Sequence, residues 1–197
     1  MLKKSDLRDH LSSDVRYLAV SIGERSVERV GSLEKAAAFI RENLQLTDYA
    51  VNEVHYPVAG QQVSNVEAIL AGTDIPQETV VVGAHYDSVA GTVGADDNAS
   101  GVAAVLELAR LLKATKPRRT VRFLLFVNEE PPYFQSEAMG SVVYAHQLRS
   151  QGIHVSAMIS LETIGFYSDQ RGSQKLSASV GTLLPGSRQL RRVCRKY

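Results

Sequence analysis

Three apolar runs constrain this chain more than any other feature, because each reads as a strand and each ends in residues that can ligate a cation. Residues 79–84 (TVVVGA) lead to His85 and Asp87, 121–127 (VRFLLFV) lead to Glu129 and Glu130, and 155–161 (VSAMISL) lead to Glu162. Short runs rich in β-branched residues, with little polar alternation, read as strands buried on both faces. In an open α/β sheet, ligands bind in the crevice outside the carboxyl ends of the strands, so these three runs would aim their polar residues at one place. A fourth contribution comes from the loop HYDSVAGTVGADD (85–97), which places an imidazole and three carboxylates within thirteen residues; its Asp96 lies just before a helix. Gly94 and Gly101 fit a close approach of backbone to a site. Acids and an imidazole brought together from separate segments read as a metal centre.

The remaining pattern supplies helices between these strands. Leu7, Leu11, Val15 and Leu18 mark an amphipathic first helix, and Leu33, Ala36, Ala37, Ile40 and Leu44 a second, with Ser32 as its N-cap. Residues 49–58 and 63–70 predict two strands joined by a turn around Gly60. A helix begins near Ala99, with Val102, Val105, Leu106, Ala109 and Leu112 on one stripe and Asp97, Asn98 and Ser100 available as caps; another lies within 136–151. Such alternation implies a mixed or parallel sheet with helices on both faces.

At 197 residues and 44% hydrophobic content the chain suits one α/β domain with a sizeable core. No apolar run reaches the roughly 18 residues of a membrane span, and the N-terminus MLKKSDLRDHLSSD lacks the apolar stretch of a signal peptide. No membrane association is expected, and the default location is cytoplasmic. A net charge of +1 predicts no general attraction to nucleic acid, and the single Cys194 cannot form an internal disulfide. Away from the ligand cluster, Glu107 and Glu137 read as solvated helix residues. His10, His55, His146 and His154 read as surface or structural histidines, and Tyr133 and Phe134 as pocket lining or packing.

The segments HYDS, GADDNASG, FVNEEPPYF and SLETIG resemble, in order and spacing, the motifs of metallopeptidase family 28, the zinc aminopeptidases of the bacterial leucyl aminopeptidase type. The resemblance covers residues 1 to about 174. It implies a three-layer α/β/α sandwich with a central mixed, mostly parallel sheet, two adjacent Zn2+ ions, and removal of an N-terminal amino acid from peptide substrates. Carried over, it implies His85 and Glu162 on the first zinc, Asp96 bridging both, Glu130 on the second, Asp87 orienting His85, and Glu129 as general base. It also implies a cis peptide between Asp96 and Asp97. Relatives often place an aspartate where Glu162 stands, and zinc accepts either carboxylate. A carboxypeptidase-type or aminoacylase-type relative would share the bridging aspartate and the paired glutamates.

The second zinc of this family takes a histidine from a later segment, and none follows His154. Beyond about Gln174 the pattern gives way to KLSASVGTLLPGSRQLRRVCRKY, which contains no acid. The expectation is therefore a catalytic domain over 1–174, incomplete at its C-terminal side, followed by a basic tail over 175–197. Arg188, Arg191, Arg192, Arg195 and Lys196 would offer nucleic acid a charged surface if the tail had that function. The alternative to an active aminopeptidase is a truncated remnant that binds at most one zinc.

Overall fold

The computed structural model describes residues 4–166 and 168. In chain order the elements are helix α1 (Lys4–Arg16), prolonged by a wider helical turn (Tyr17–Ile22), α2 (Ser32–Leu46), strands β1 (Val51–Val58), β2 (Gln61–Leu70) and β3 (Ile75–His85), α3 (Gly101–Leu112), β4 (Arg119–Phe126), α4 (Gly140–Ser150) and β5 (His154–Ser160). The strands form one mixed sheet in the order β1-β2-β4-β3-β5. β1 and β2 pair antiparallel, as do β2 and β4, whereas β3 runs parallel to both β4 and β5.

Register brings the ligand-bearing ends together. His85 lies opposite Phe126 on β4, Gly83 lies opposite Ser160 on β5, and Leu161 N–H continues the ladder to the Gly83 carbonyl at 2.8 Å. The residues just beyond β3, β4 and β5 therefore emerge at one edge, as parallel pairing requires of strands that end in step. Gly83 permits this pairing, because a Cβ there would stand 2.7 Å from the Leu124 carbonyl oxygen.

Helices pack on both faces of the sheet. On one, Leu18, Ile40, Leu44, Val102 and Leu106 from the helices pack against Val66, Phe123 and Leu125. On the other, Tyr144 and Leu148 of α4 cover Val81, Leu124 and Phe126. Side chains this size contribute about 1.5–3 kcal/mol each when fully buried. The result is the expected three-layer α/β/α arrangement, and among the described residues no helix is long and apolar enough to cross a membrane.

Several local expectations need correction. Ser32 is the first residue of α2 and does not cap it; its hydroxyl instead donates to the Ser26 carbonyl at 3.1 Å, while Gly31, at φ +76°, makes the turn into the helix. Glu107 is not solvated but buried: Arg110 donates to it at 2.8 Å and His10 Nδ1 lies 3.2 Å away. Apolar residues flank Glu107 on α3 because that helix is covered by α1 as well as by the sheet. The 155–161 run forms a strand, yet all seven residues of β5 are exposed. β5 stands at the end of the strand order and has β3 as its single described neighbour. The expected boundary at residue 174 and the tail 175–197, with its cluster of arginines, lie outside the described residues.

Candidate metal centre

His85 forms the floor of the site. It is 3% exposed, held where β3 ends, and three carboxylates from three other segments approach its Nε2: Asp97 at 3.1 Å, Glu162 at 3.4 Å and Glu129 at 3.8 Å. None of these approaches is aligned as a hydrogen bond, so both ring nitrogens of a buried imidazole are left without one, as is Glu130 Oε1 nearby. A ring nitrogen of His85 and one oxygen each of Asp97 and Glu130 lie within 4.8 Å of one another. Buried polar atoms without partners are costly, and a cation satisfies lone pairs of this kind together. An imidazole with carboxylates is a donor set suited to zinc.

Behind the imidazole sits Asp87, 3% exposed, with Oδ1 3.4 Å from His85 Nδ1. The same carboxylate accepts the backbone N–H groups of Glu129 at 3.2 Å and Glu130 at 3.0 Å. Asp87 thus connects the end of β3 to the turn after β4, where Asn128 takes φ +61° and the chain changes direction before the paired acids. Glu129 and Glu130 diverge after that turn, Glu129 reaching toward His85 Nε2.

The structure places the two aspartates of the glycine-rich loop differently from the sequence reading. Asp97, rather than Asp96, gathers with His85 and Glu130. The Asp96 carboxylate turns away to accept the Gly165 N–H at 2.7 Å and approaches the Ser100 hydroxyl at 3.3 Å. The cis peptide is likewise one residue later than expected, between Asp97 and Asn98. Backbone conformation separates the neighbours: Asp97 leaves the helical region (φ −104°, ψ 96°) and so presents its side chain to the strand ends. The four-residue spacing of Asp96 and Ser100 was a usable signal, because a short acid and a hydroxyl at that spacing readily bond locally at a helix start.

Asn98, which the sequence reading treated only as a possible cap, is fully buried and ties the loop to β5. Its amide donates to the Leu161 carbonyl at 2.9 Å and to Glu162 Oε2 at 3.1 Å, and its Oδ1 accepts the Gly101 N–H at 3.1 Å. Glu162 is thereby aimed at His85. A side chain at Gly101 would collide with Asn98 and the Leu161 carbonyl, so glycine is required where α3 begins.

Crowding of acids dominates the electrostatics. Burial, reinforced by the charge of Asp97, pushes Glu130 up to about 7. Burial likewise raises Glu129, with His85 opposing and Glu162 adding to the rise, and it raises Asp97. Burial alone would lower the His85 imidazolium, but Asp87 and Glu162 more than reverse this and hold it up at about 11. A site that retains protons this tightly is one from which a cation would displace them.

Of the other sequence-marked residues, Tyr133 is half-buried against the larger core cluster and Phe134 is exposed. A small cavity of about 110 Å³ opens beside His85 and Glu129, lined also by Phe126, Met139 and Met158. A larger apolar groove, about 1060 Å³, runs along α1 and the start of α3 and has only Asp96 of these acids in its wall. The cluster of His85, Glu129 and Glu162 opens into the smaller one.

The fold and the cluster define an α/β/α protein with an acidic, histidine-containing centre at the carboxyl ends of its parallel strands. The model of peptidase family M28 matches residues 65–192, and the chain belongs to that family. It is 38% identical over 174 residues to "Uncharacterized protein YfbL" of Escherichia coli, an alignment covering 84% of this chain and 52% of that protein. It is 29% identical over 175 residues to a probable zinc metalloprotease of Pyricularia oryzae, covering 85% of this chain and 31% of the relative. The chain thus spans about half the length, or less, of these curated relatives. Among solved structures, a zinc aminopeptidase of Bacillus subtilis superposes with a TM-score of 0.70 at 16% identity, over 80% of this chain and 69% of that one. A glutaminyl cyclase of Porphyromonas gingivalis gives 0.67 at 23% identity, over 81% and 61% respectively. Both likenesses concern the fold.

Proposed function

We propose that this chain carries the metal centre of a zinc-dependent aminopeptidase. The observation that carries the reading is the convergence of Asp97, Glu129 and Glu162 on the buried, unbonded Nε2 of His85, with Glu130 beside them. Membership of peptidase family M28 and the relatives named as zinc metalloproteases support it.

In this reading His85, Asp97, Glu130 and Glu162 would hold zinc. Zinc bound there would supply Lewis-acid activation of a water and of the scissile carbonyl. The chain's own residues do the rest. Glu129 is 30% exposed at the mouth of the site, and burial raises its pKa above the ordinary carboxylate value, which makes it a stronger base. It takes a proton from the attacking water and delivers it to the leaving amine, a role typically worth about 10²- to 10⁴-fold in rate. Asp87 holds the His85 ring in orientation. The cavity beside the acids sets the apolar side chains of Phe126, Met139 and Met158 next to His85, Glu129 and Glu162.

The test is hydrolysis of an aminoacyl anilide by the purified chain, followed together with bound zinc per chain. Activity that disappears on chelation and returns with zinc supports the reading, and Glu129→Gln should then abolish turnover while keeping the zinc. A chain that binds one zinc or none and turns over no substrate would instead be a catalytically inactive member of the family.

A further inference from the structure

Arg25 is wholly buried, and none of its guanidinium hydrogen bonds goes to a carboxylate. It spends its donors on five backbone carbonyls: Nε on Tyr86 at 2.7 Å, Nη1 on Leu18 at 3.2 Å, Gly23 at 2.9 Å and Val93 at 2.7 Å, and Nη2 on Gly94 at 2.9 Å. Three of these acceptors belong to the loop that connects His85 to Asp97. Tyr86 lies between His85 and Asp87, and Gly94 lies three residues before Asp97.

The main chain around Arg25 grips the same loop. Arg25 N–H donates to the Ser88 hydroxyl at 3.1 Å, and Ser88 N–H donates back to the Arg25 carbonyl at 2.9 Å. Next to it, Glu24 Oε2 accepts the Gly91 N–H at 3.0 Å. Gly94 itself takes φ +51°, and a Cβ there would stand 2.7 Å from Arg25 Nη2, so the loop closes directly onto the guanidinium.

We propose that Arg25 is a positioning residue for the metal centre: one buried, planar cation ties together both stems of the 86–94 loop and so fixes the spacing of His85 and Asp87 from Asp97. The inference rests on the zinc reading above. A rigid planar fork with five donors reaches both stems in one fixed geometry, whereas a compact ammonium with three donors serves fewer of these carbonyls and fixes their spacing less tightly. The guanidinium also brings positive charge close to Asp87 and Asp97, which offsets part of the repulsion among the clustered acids without occupying the oxygens that face His85. Groups that orient metal ligands without touching the metal typically change affinity by about 10- to 100-fold when removed.

The experiment compares the full chain as wild type, Arg25→Met, Arg25→Lys and Ser88→Ala, measuring zinc affinity by competition with a chromophoric chelator and the visible absorption bands of the cobalt(II)-loaded protein. Arg25→Met is expected to lose about 10- to 100-fold in zinc affinity and to alter the cobalt bands, with Arg25→Lys recovering part of each. Far-UV circular dichroism establishes that the variants are folded. Should Arg25→Met fail to fold, Ser88→Ala carries the test, since it leaves the guanidinium in place, removes the hydroxyl that accepts Arg25 N–H and donates to the Thr92 carbonyl, and is expected to weaken zinc in the same direction. Wild-type affinity and unchanged cobalt bands in the folded variants, even with a lowered melting temperature, would overturn the inference and leave Arg25 a purely structural residue. No zinc binding by the wild type would instead remove the zinc reading, and this inference with it.

Discussion

Asp87 accepts the backbone N–H of Glu130 on Oδ2 at 3.0 Å, while its Oδ1 serves Glu129 N–H and lies 3.4 Å from His85 Nδ1. One buried carboxylate therefore fixes the backbone of both members of the acid pair and stands beside the His85 imidazole. Asp87→Asn keeps the shape but loses the charge and replaces one acceptor with an amide. It should lower zinc affinity by about 10- to 100-fold, the range found for partners of metal-bound histidines. Asp87→Ala leaves two N–H groups without their acceptor, at a cost of about 1–3 kcal/mol each where they are buried. Zinc competition titration and urea unfolding separate the two effects.

Asp96 and Asp97 offer a sharper comparison because they are adjacent and chemically identical. Asp97 lies 3.1 Å from His85 Nε2, and Asp96 is bonded to Gly165 N–H. Asp97→Asn should abolish tight zinc binding. Asp96→Asn should leave affinity near that of the wild type and show itself mainly as a small loss of stability, about 0.5–1.5 kcal/mol for a hydrogen bond of this sort. Equal loss of zinc in both variants would return Asp96 to the metal.

Arg110 bridges α1, α2 and α3: it donates to Asp14 at 3.1 Å, to Glu107 at 2.8 Å and to Asn43 at 2.6 Å. Burial already raises the Asp14 pKa, with Arg110 the chief opposing influence. Arg110→Ala would leave two buried acids without their cation, and breaking a buried pair in this way costs about 3–5 kcal/mol. The drop should appear in chemical denaturation. A loss below about 1 kcal/mol would mean that the pair behaves as a surface contact.

The sheet and its helices were legible because periodicity and turn chemistry are local. The β1–β2 turn at Ala59–Gly60, the end of β3 at His85, and the placing of Glu129 and Glu162 just beyond β4 and β5 all follow from short windows of sequence. Which aspartate turns inward was not legible in that way. Successive residues in a glycine-rich loop face different directions, and the choice depends on Gly94 at φ +51° and on the non-helical Asp97, neither of which apolar spacing encodes. Arg25 escaped attention for a related reason. It lies in an irregular segment whose partners are carbonyls up to 69 residues away, and backbone acceptors leave no mark on side-chain patterning. Glu107 was misjudged because an acid within an apolar stripe looks solvent-facing until Arg110 and His10 are found against it.

The crowded acids also give the metal-free protein a pH dependence of definite sign. Glu130 is pushed from 4.5 up to about 7, burial being the main cause, and His85 from 6.5 up to about 11, where Asp87 and Glu162 outweigh burial. Both shifts are upward, so the folded chain binds protons more tightly than the unfolded chain. Stability must then fall as pH rises: from 4.5 to about 7 through Glu130, and from 6.5 to about 11 through His85. Chelator-treated protein is expected to melt lower at about pH 8.5 than at about pH 5.5. Zinc should oppose this trend, since it binds the deprotonated ligands more tightly as pH rises and stabilises the folded state by mass action, about 2.7 kcal/mol at a hundredfold excess over Kd. Calorimetric melting across that interval, with chelator and with zinc, tests both signs. A chelated protein whose midpoint rises steadily with pH would show that the cluster does not retain its protons, and the buried donors of His85 and Glu130 would need another partner.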